Sequence, residues 1–86
     1  NDAVVKNSLI ADGCVIEGEV ENSILFRGVK VAKGAKVKNC ILMNGANVCA
    51  GAYLENVVVD KEARVEKRRE LVGKDETLYI KEGDVI

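Results

Sequence analysis

The chain of 86 residues contains no histidine, no proline and no tryptophan, and its aromatic residues are one phenylalanine and two tyrosines. Without histidine, the chain can supply neither a histidine general base nor a histidine ligand for zinc. The sequence also lacks a secretory signal pattern and an apolar run of about 18 residues, which a membrane-spanning helix needs. We therefore expect no membrane contact and a cytoplasmic location.

The formal net charge of −1 gives no electrostatic reason to expect a nucleic acid or an anionic membrane as partner. Three cysteines are too few, and odd in number, for a disulfide framework, so we expect free thiols in a reducing compartment. Their positions predict Cys14 in a small core slot, Cys49 at a corner and Cys40 pointing outward.

The centre of the chain consists of two adjacent segments of equal length, 25–41 and 42–58, which match in residue type at nearly every position. A fixed internal period of this kind is typical of a stacked architecture. Large aliphatic residues recur six positions apart, and a second apolar residue follows each of them by four positions. The twelve predicted inward slots are Leu25, Val29, Val31, Ala35, Val37, Ile41, Leu42, Ala46, Val48, Ala52, Leu54 and Val58.

This spacing favours short strands over helices, because a helical face would need apolar residues at offsets of 3, 4 and 7. Three strands per coil predict an all-β, three-sided parallel β-solenoid of about four to five coils. A coil that is shorter by two positions precedes residue 25, and the repeat continues downstream to Val65. We place the coils at residues 1–66, and an irregular turn with short capping strands at residues 67–86.

One column of asparagines follows the same period, and stacked amides can hydrogen-bond along a stack as a structural ladder. Ser8 and Ser23 lie beside this column, in slots that we predict to face outward. Since the chain begins within a repeat, we expect an N-terminal part of a longer polypeptide to cover that end. The predicted ladder comprises Asn7, Asn22, Asn39 and Asn56.

We predict no catalytic residue and no metal site, because the serines have no base nearby and the cysteines are dispersed. A basic cluster, Lys67, Arg68 and Arg69, follows Arg64 where the period breaks. One interpretation is a solvated loop balanced by neighbouring glutamates. The other is a clamp for a phosphate ester, since arginine forks match phosphate oxygens.

Residues 8–18, 20–31 and 37–43, together with 54–61 and 79–86, resemble the C-terminal domain of bacterial glucose-1-phosphate adenylyltransferase. The resemblance is strongest to the regulatory D-type subunits of glycogen biosynthesis. It implies a left-handed β-helix of the hexapeptide-repeat type, although the general rule for parallel crossovers favours the opposite hand.

The resemblance also implies a non-catalytic domain that packs on its own N-terminal catalytic domain and joins subunits of a homo- or hetero-tetramer. The parent enzyme would make ADP-glucose and pyrophosphate from ATP and glucose 1-phosphate with Mg²⁺, whereas this part would hold no cofactor. In some family members, arginine residues just beyond the last full coil contact the phosphates of the activator, and Arg68 and Arg69 match that location. Alternatives are the β-helix of another sugar-nucleotide pyrophosphorylase or a fragment of a hexapeptide acyltransferase.

Overall fold

A computed structural model describes residues 3–86 and shows a parallel β-solenoid of about five coils. The predicted all-β fold is confirmed, and the architecture is consistent with a left-handed hexapeptide-repeat β-helix. No helix in the described part of the chain is long and apolar enough to cross a membrane.

Within residues 3–86 the strands are β1 (Val4–Lys6), β2 (Leu9–Ile10), β3 (Val15–Ile16), β4 (Glu19–Glu21), β5 (Ile24–Leu25), β6 (Lys30–Val31), β7 (Lys36–Lys38), β8 (Ile41–Leu42), β9 (Asn47–Val48), β10 (Tyr53–Glu55), β11 (Val57–Val59), β12 (Arg64–Val65), β13 (Glu70–Val72) and β14 (Leu78–Ile80).

The strands form three parallel sheets, one on each side of the stack. Sheet 1 has the order β1-β4-β7-β10-β13, sheet 2 the order β2-β5-β8-β11-β14, and sheet 3 the order β3-β6-β9-β12. Every strand therefore pairs with the equivalent strand one coil away. Because each coil contacts mainly its neighbours, stability comes from burial between successive coils.

The pairing registers give the relative length of each coil. Val5 pairs with Val20, and Val20 pairs in turn with Val37, so the first coil is two residues shorter than the second. The third coil matches the second in length, since Val37 pairs with Leu54. The short coil and the two longer ones that the sequence predicts are thus confirmed. The stack then continues, because Leu54 pairs with Leu71.

The C-terminal segment is part of the same stack. Strand β13 extends sheet 1, β14 extends sheet 2, and Val85 forms a parallel bridge with Arg64 beside sheet 3. Val58 pairs with Ile41 on one side and with Tyr79 on the other, so this coil is four residues longer than its predecessor. The irregular turn expected after Val65 is therefore an ordinary corner followed by a strand in register.

The core is a set of aliphatic columns along the axis. Ten of the twelve predicted inward residues are buried, among them Val31, Val48 and Leu54. Ile41 and Val58 are the exceptions, because both are only half-buried and point outward from sheet 2. The residues that precede them, Cys40 and Val57, take the inward positions.

The prediction that Ser23 and Cys40 face outward is therefore wrong, since their exposed fractions are 3% and 2%. The cause is the preceding asparagine, which adopts a left-handed backbone conformation. The corner therefore takes one residue fewer than the sequence pattern implies, and the inward position falls one residue earlier. Along the inward column, Ser23 accepts a hydrogen bond from the Cys40 N–H at 3.0 Å, and Ser8 accepts one from the Ser23 N–H at 3.0 Å. The hydroxyls thus connect successive coils inside the core.

Candidate functional site

The basic cluster forms the corner between sheets 3 and 1 in the fourth full coil. Lys67, Arg68 and Arg69 connect β12 to β13, and all three side chains are exposed. Within residues 3–86, none of the three makes an ion pair with an acidic side chain. The structure thus places the three predicted residues side by side, with charges available to a ligand in solvent.

Arg68 occupies a backbone position that glycine fills in the preceding coils. Its φ is 59°, while Gly34 and Gly51 in the same column have φ values of 81° and 73°. The Arg68 N–H donates to the Ala50 carbonyl at 3.0 Å, so the ladder between coils continues through this corner. A side chain in this conformation costs about 1 kcal/mol relative to glycine.

The stem of Arg68 lies directly over the preceding coil. Its Cγ is 3.3 Å from the place that a Cβ on Gly51 would occupy. A glycine in the lower coil therefore makes room for the arginine in the upper one. Strained residues of this kind persist where the surroundings hold them, and they cluster at functional positions.

Arg64 is separated from the cluster by its own partners. Its Nε donates to Glu66 Oε2 at 2.9 Å. The neighbouring side chains of Cys49 and Glu66 raise the pKa of the Arg64 guanidinium above its ordinary value. Arg64 is thus engaged within the coil, which leaves Lys67, Arg68 and Arg69 as the group that could hold an anion.

The asparagine column has a uniform backbone geometry. Asn7, Asn22, Asn39 and Asn56 have φ values between 50° and 59°, and the N–H groups of the last three continue the ladder between coils. Asn7 Nδ2 donates to Asn22 Oδ1 at 2.6 Å, and Asn56 Nδ2 donates to the Gly73 carbonyl at 2.8 Å. The amides therefore bond to neighbouring coils at both ends of the column.

All three cysteines have free thiols. Cys14 is half-buried beside the Phe26 carbonyl, whereas Cys40 and Cys49 are buried. Burial raises the pKa of the Cys40 thiol, although hydrogen bonds from the backbone of Val57 act against the rise. A neutral thiol of this kind is a packing residue and a poor nucleophile.

The described residues bring together no group of three or more cysteine, aspartate and glutamate side chains that could hold a metal ion. A shallow depression of about 180 Å³ lies on the outer face of sheet 1. Acidic side chains of β4 and basic side chains of β7 border it, so charges of opposite sign face each other there. It offers no aligned nucleophile and base.

A stack of parallel coils built on six-residue sides defines the class of hexapeptide-repeat domains. The chain belongs to the family described as GlmU-like, C-terminal hexapeptide, whose pattern matches residues 1–84. It is 57% identical over 82 residues to the glycogen biosynthesis protein GlgD of Bacillus subtilis (strain 168), covering 94% of this chain and 24% of that protein. The chain thus spans about a quarter of the length of this relative.

Shorter stretches match other relatives. The glycogen biosynthesis protein GlgD of Geobacillus stearothermophilus is 73% identical over 33 residues, covering 38% of this chain and 10% of that protein. A glucose-1-phosphate adenylyltransferase of Clostridium perfringens (strain SM101 / Type A) is 58% identical over 36 residues, covering 42% of this chain and 9% of that enzyme. The resemblance seen in the sequence is confirmed: the chain is a hexapeptide domain related to glycogen biosynthesis proteins.

Proposed function

We propose that the chain is a non-catalytic assembly and regulatory domain of a glucose-1-phosphate adenylyltransferase-type subunit in cytoplasmic glycogen biosynthesis. The observation that carries the proposal is the identity of 57% to a glycogen biosynthesis protein over 94% of this chain. An identity of this size over nearly the whole chain supports a related role for the two proteins. The proposed partners are a catalytic domain of the same polypeptide and other subunits of a tetramer.

The side chains of this domain support a role without chemistry of its own. Nucleotidyl transfer from ATP with Mg²⁺ needs carboxylates that hold the metal and a backbone cradle for phosphates. The described residues contain no suitable carboxylate cluster, and their glycines lie at corners of the stack rather than before a helix. We therefore propose that ATP and Mg²⁺ bind the catalytic domain of the parent subunit rather than this domain.

The function is tested by grafting this chain onto the Bacillus subtilis relative in place of the matching segment. We expect the graft to have the same molecular mass in solution as the unmodified relative, measured by light scattering after size-exclusion chromatography. A graft that carries Val48→Asp is the matched control, because it should lose the fold and the assembly together. Dissociation of the unaltered graft would contradict the assembly role.

A second measurement tests the absence of catalysis. We expect the chain alone, given ATP, glucose 1-phosphate and Mg²⁺, to release no pyrophosphate above a blank. Steady release of pyrophosphate that occurs only when the protein is present would contradict the proposal.

The regulatory part of the proposal concerns Lys67, Arg68 and Arg69 as a clamp for a sugar-phosphate effector. We expect Arg68→Gly to weaken binding of glucose 1,6-bisphosphate by about one to two orders of magnitude, measured by calorimetry, because one charge-assisted hydrogen bond contributes roughly 1.5–3 kcal/mol. The same change should raise the free energy of unfolding by up to about 1 kcal/mol, since glycine relieves the left-handed backbone.

Glu62→Gly is the matched control for this variant. Glu62 has the same left-handed φ of 59° in another glycine column, but it carries no positive charge. It should gain similar stability and keep the affinity for the bisphosphate. If Arg68→Gly binds the bisphosphate as tightly as the unaltered chain does, the cluster is a solvated corner and the effector proposal is wrong.

A further inference from the structure

The outward column of sheet 2 is apolar along its whole length. The cross-strand registers place five side chains in one line at a spacing of about 4.8 Å. Three of them are well exposed, at 69% for Leu9, 40% for Ile24 and 56% for Tyr79. Phe26, 43% exposed, widens the same face. The apolar column comprises Leu9, Ile24, Ile41, Val58 and Tyr79.

The other two sheets have a different outer surface. On sheet 1, Glu19, Lys36 and Glu70 occupy one outward line, and on sheet 3 the equivalent line includes Lys30 and Arg64. Most strands of sheets 1 and 3 therefore alternate between apolar inward and polar outward residues, as expected for a solvated face, and the exposed apolar residues on these outward lines, Val4 and Val15, lie in the first coil.

Strands of sheet 2 are apolar on both sides. Strand β11, Val57–Val59, has three valines in succession, of which Val57 and Val59 are buried in the core and Val58 points outward. Continuous apolar runs are typical of parallel strands that are covered on both faces. Soluble monomers seldom expose an apolar patch that is this continuous, so the face has the composition of an interface.

The rim of this face is polar. The Tyr79 hydroxyl donates to the Asp60 carboxylate, and Lys61 Nζ lies 3.2 Å from Asp60 Oδ1. The Tyr79 hydrogen bond and the Lys61 backbone N–H hold the pKa of Asp60 below its usual range. An apolar centre with a paired, charged rim is the usual anatomy of a protein–protein interface.

We propose that the outer face of sheet 2 packs against the same face of a second copy of this chain. The inference deepens the proposed assembly role and rests on it. The apolar column carries no charge, so a charged partner would bury unpaired groups there, at considerable cost. A second copy presents an equally neutral line of side chains with the same spacing, and two such sheets can interdigitate about a two-fold axis.

The size of the face predicts a weak dimer. The molecule measures 31 × 22 × 21 Å, so one face covers roughly 460–680 Å² and two faces bury about 900–1,400 Å². Specific interfaces begin at about 1,200 Å² of total buried area. We therefore expect a dissociation constant in the range of about 10–500 µM, which corresponds to roughly −4.5 to −7 kcal/mol.

Sedimentation velocity of the isolated chain tests the proposal from about 10 µM to about 1 mM, a range that brackets the expected dissociation constant. The unaltered chain should shift from monomer to dimer within this range. Ile41→Lys should weaken dimerisation at least tenfold, because each copy would bring an unpaired ammonium into the interface. Asn47→Lys on β9 of sheet 3 introduces the same charge outside the face and should leave the equilibrium unchanged.

Circular dichroism of each variant separates loss of the dimer from loss of the fold, and Ile24→Lys provides a second site on the same face. A monomer at every concentration would overturn the proposal. So would a dimer that persists in both face variants but is lost with Val5→Lys, since that would place the contact at the first coil. Neither result would affect the graft or the bisphosphate measurement, which test the proposed function separately.

Discussion

Val48→Asp should unfold the stack at room temperature. Val48 is fully buried on β9 and pairs with Val31 on one side and Val65 on the other. A carboxylate there would face an apolar column, and the core cluster of the described residues contains no cation to pair with it. Burial of an unpaired charge costs several kcal/mol, which is comparable with the whole stability of a domain of this size.

The control for this variant is Asn47→Asp, one residue earlier on the same strand, where the side chain faces outward and is half-buried. Its unfolding midpoint in urea should stay close to that of the unaltered chain, followed by far-ultraviolet circular dichroism. If Val48→Asp retained the β-sheet spectrum and the same midpoint, Val48 would not lie in the core.

Gly18→Ala should be one of the most damaging glycine substitutions in the chain relative to the size of the change. A Cβ on Gly18 would lie 2.4 Å from the Ala35 carbonyl oxygen and 2.7 Å from that of Ala32. Both are backbone atoms of the next coil, so no side chain can move aside. The coils would have to separate locally, with a loss of about 3 kcal/mol in the free energy of unfolding.

Gly13→Ala provides the contrast. Gly13 has a φ of +77°, but the nearest atom to its added Cβ is 3.7 Å away, so only backbone strain opposes the alanine. That strain costs about 1 kcal/mol. Calorimetric melting of both variants should therefore show a clearly larger loss of stability for Gly18→Ala. Equal losses would mean that the backbone of the short coil can shift to make room for the methyl group at this corner.

The sequence predicts the fold well because the core columns repeat at a fixed distance. Leu25, Val31 and Val37 have equivalents one full period later, and the period alone places them inward. The inward positions of sheet 2 are harder to predict, because the corner before each of its strands contains a left-handed asparagine that shifts the inward position by one residue. A period of apolar residues does not reveal that shift, although the small Ser23 and Cys40 in one column are its signature.

The candidate site is only partly predictable. The cluster of Lys67, Arg68 and Arg69 is visible in the sequence, and Arg68 follows Gly51 by one full period, so its place in a glycine column can be found by counting. The ion pair between Arg64 and Glu66 cannot be predicted in this way, since it depends on how the corner folds. The place of β14 in the stack is also hidden, because four additional residues interrupt the period before it. Strand β13 keeps the period, since Leu71 follows Leu54 by one full repeat.

The short separation along the chain between paired strands has a consequence for how the molecule gains and loses its structure. Within residues 3–86, every strand pairs only with its counterpart in an adjacent coil, as Val5 does with Val20 and Val58 with Tyr79. A growing stack therefore closes only short loops and can extend one coil at a time. Resistance to opening is then graded along the axis rather than shared by the whole molecule. The middle coils, which are enclosed on both sides, serve as the template on which the outer coils fold and from which they unfold.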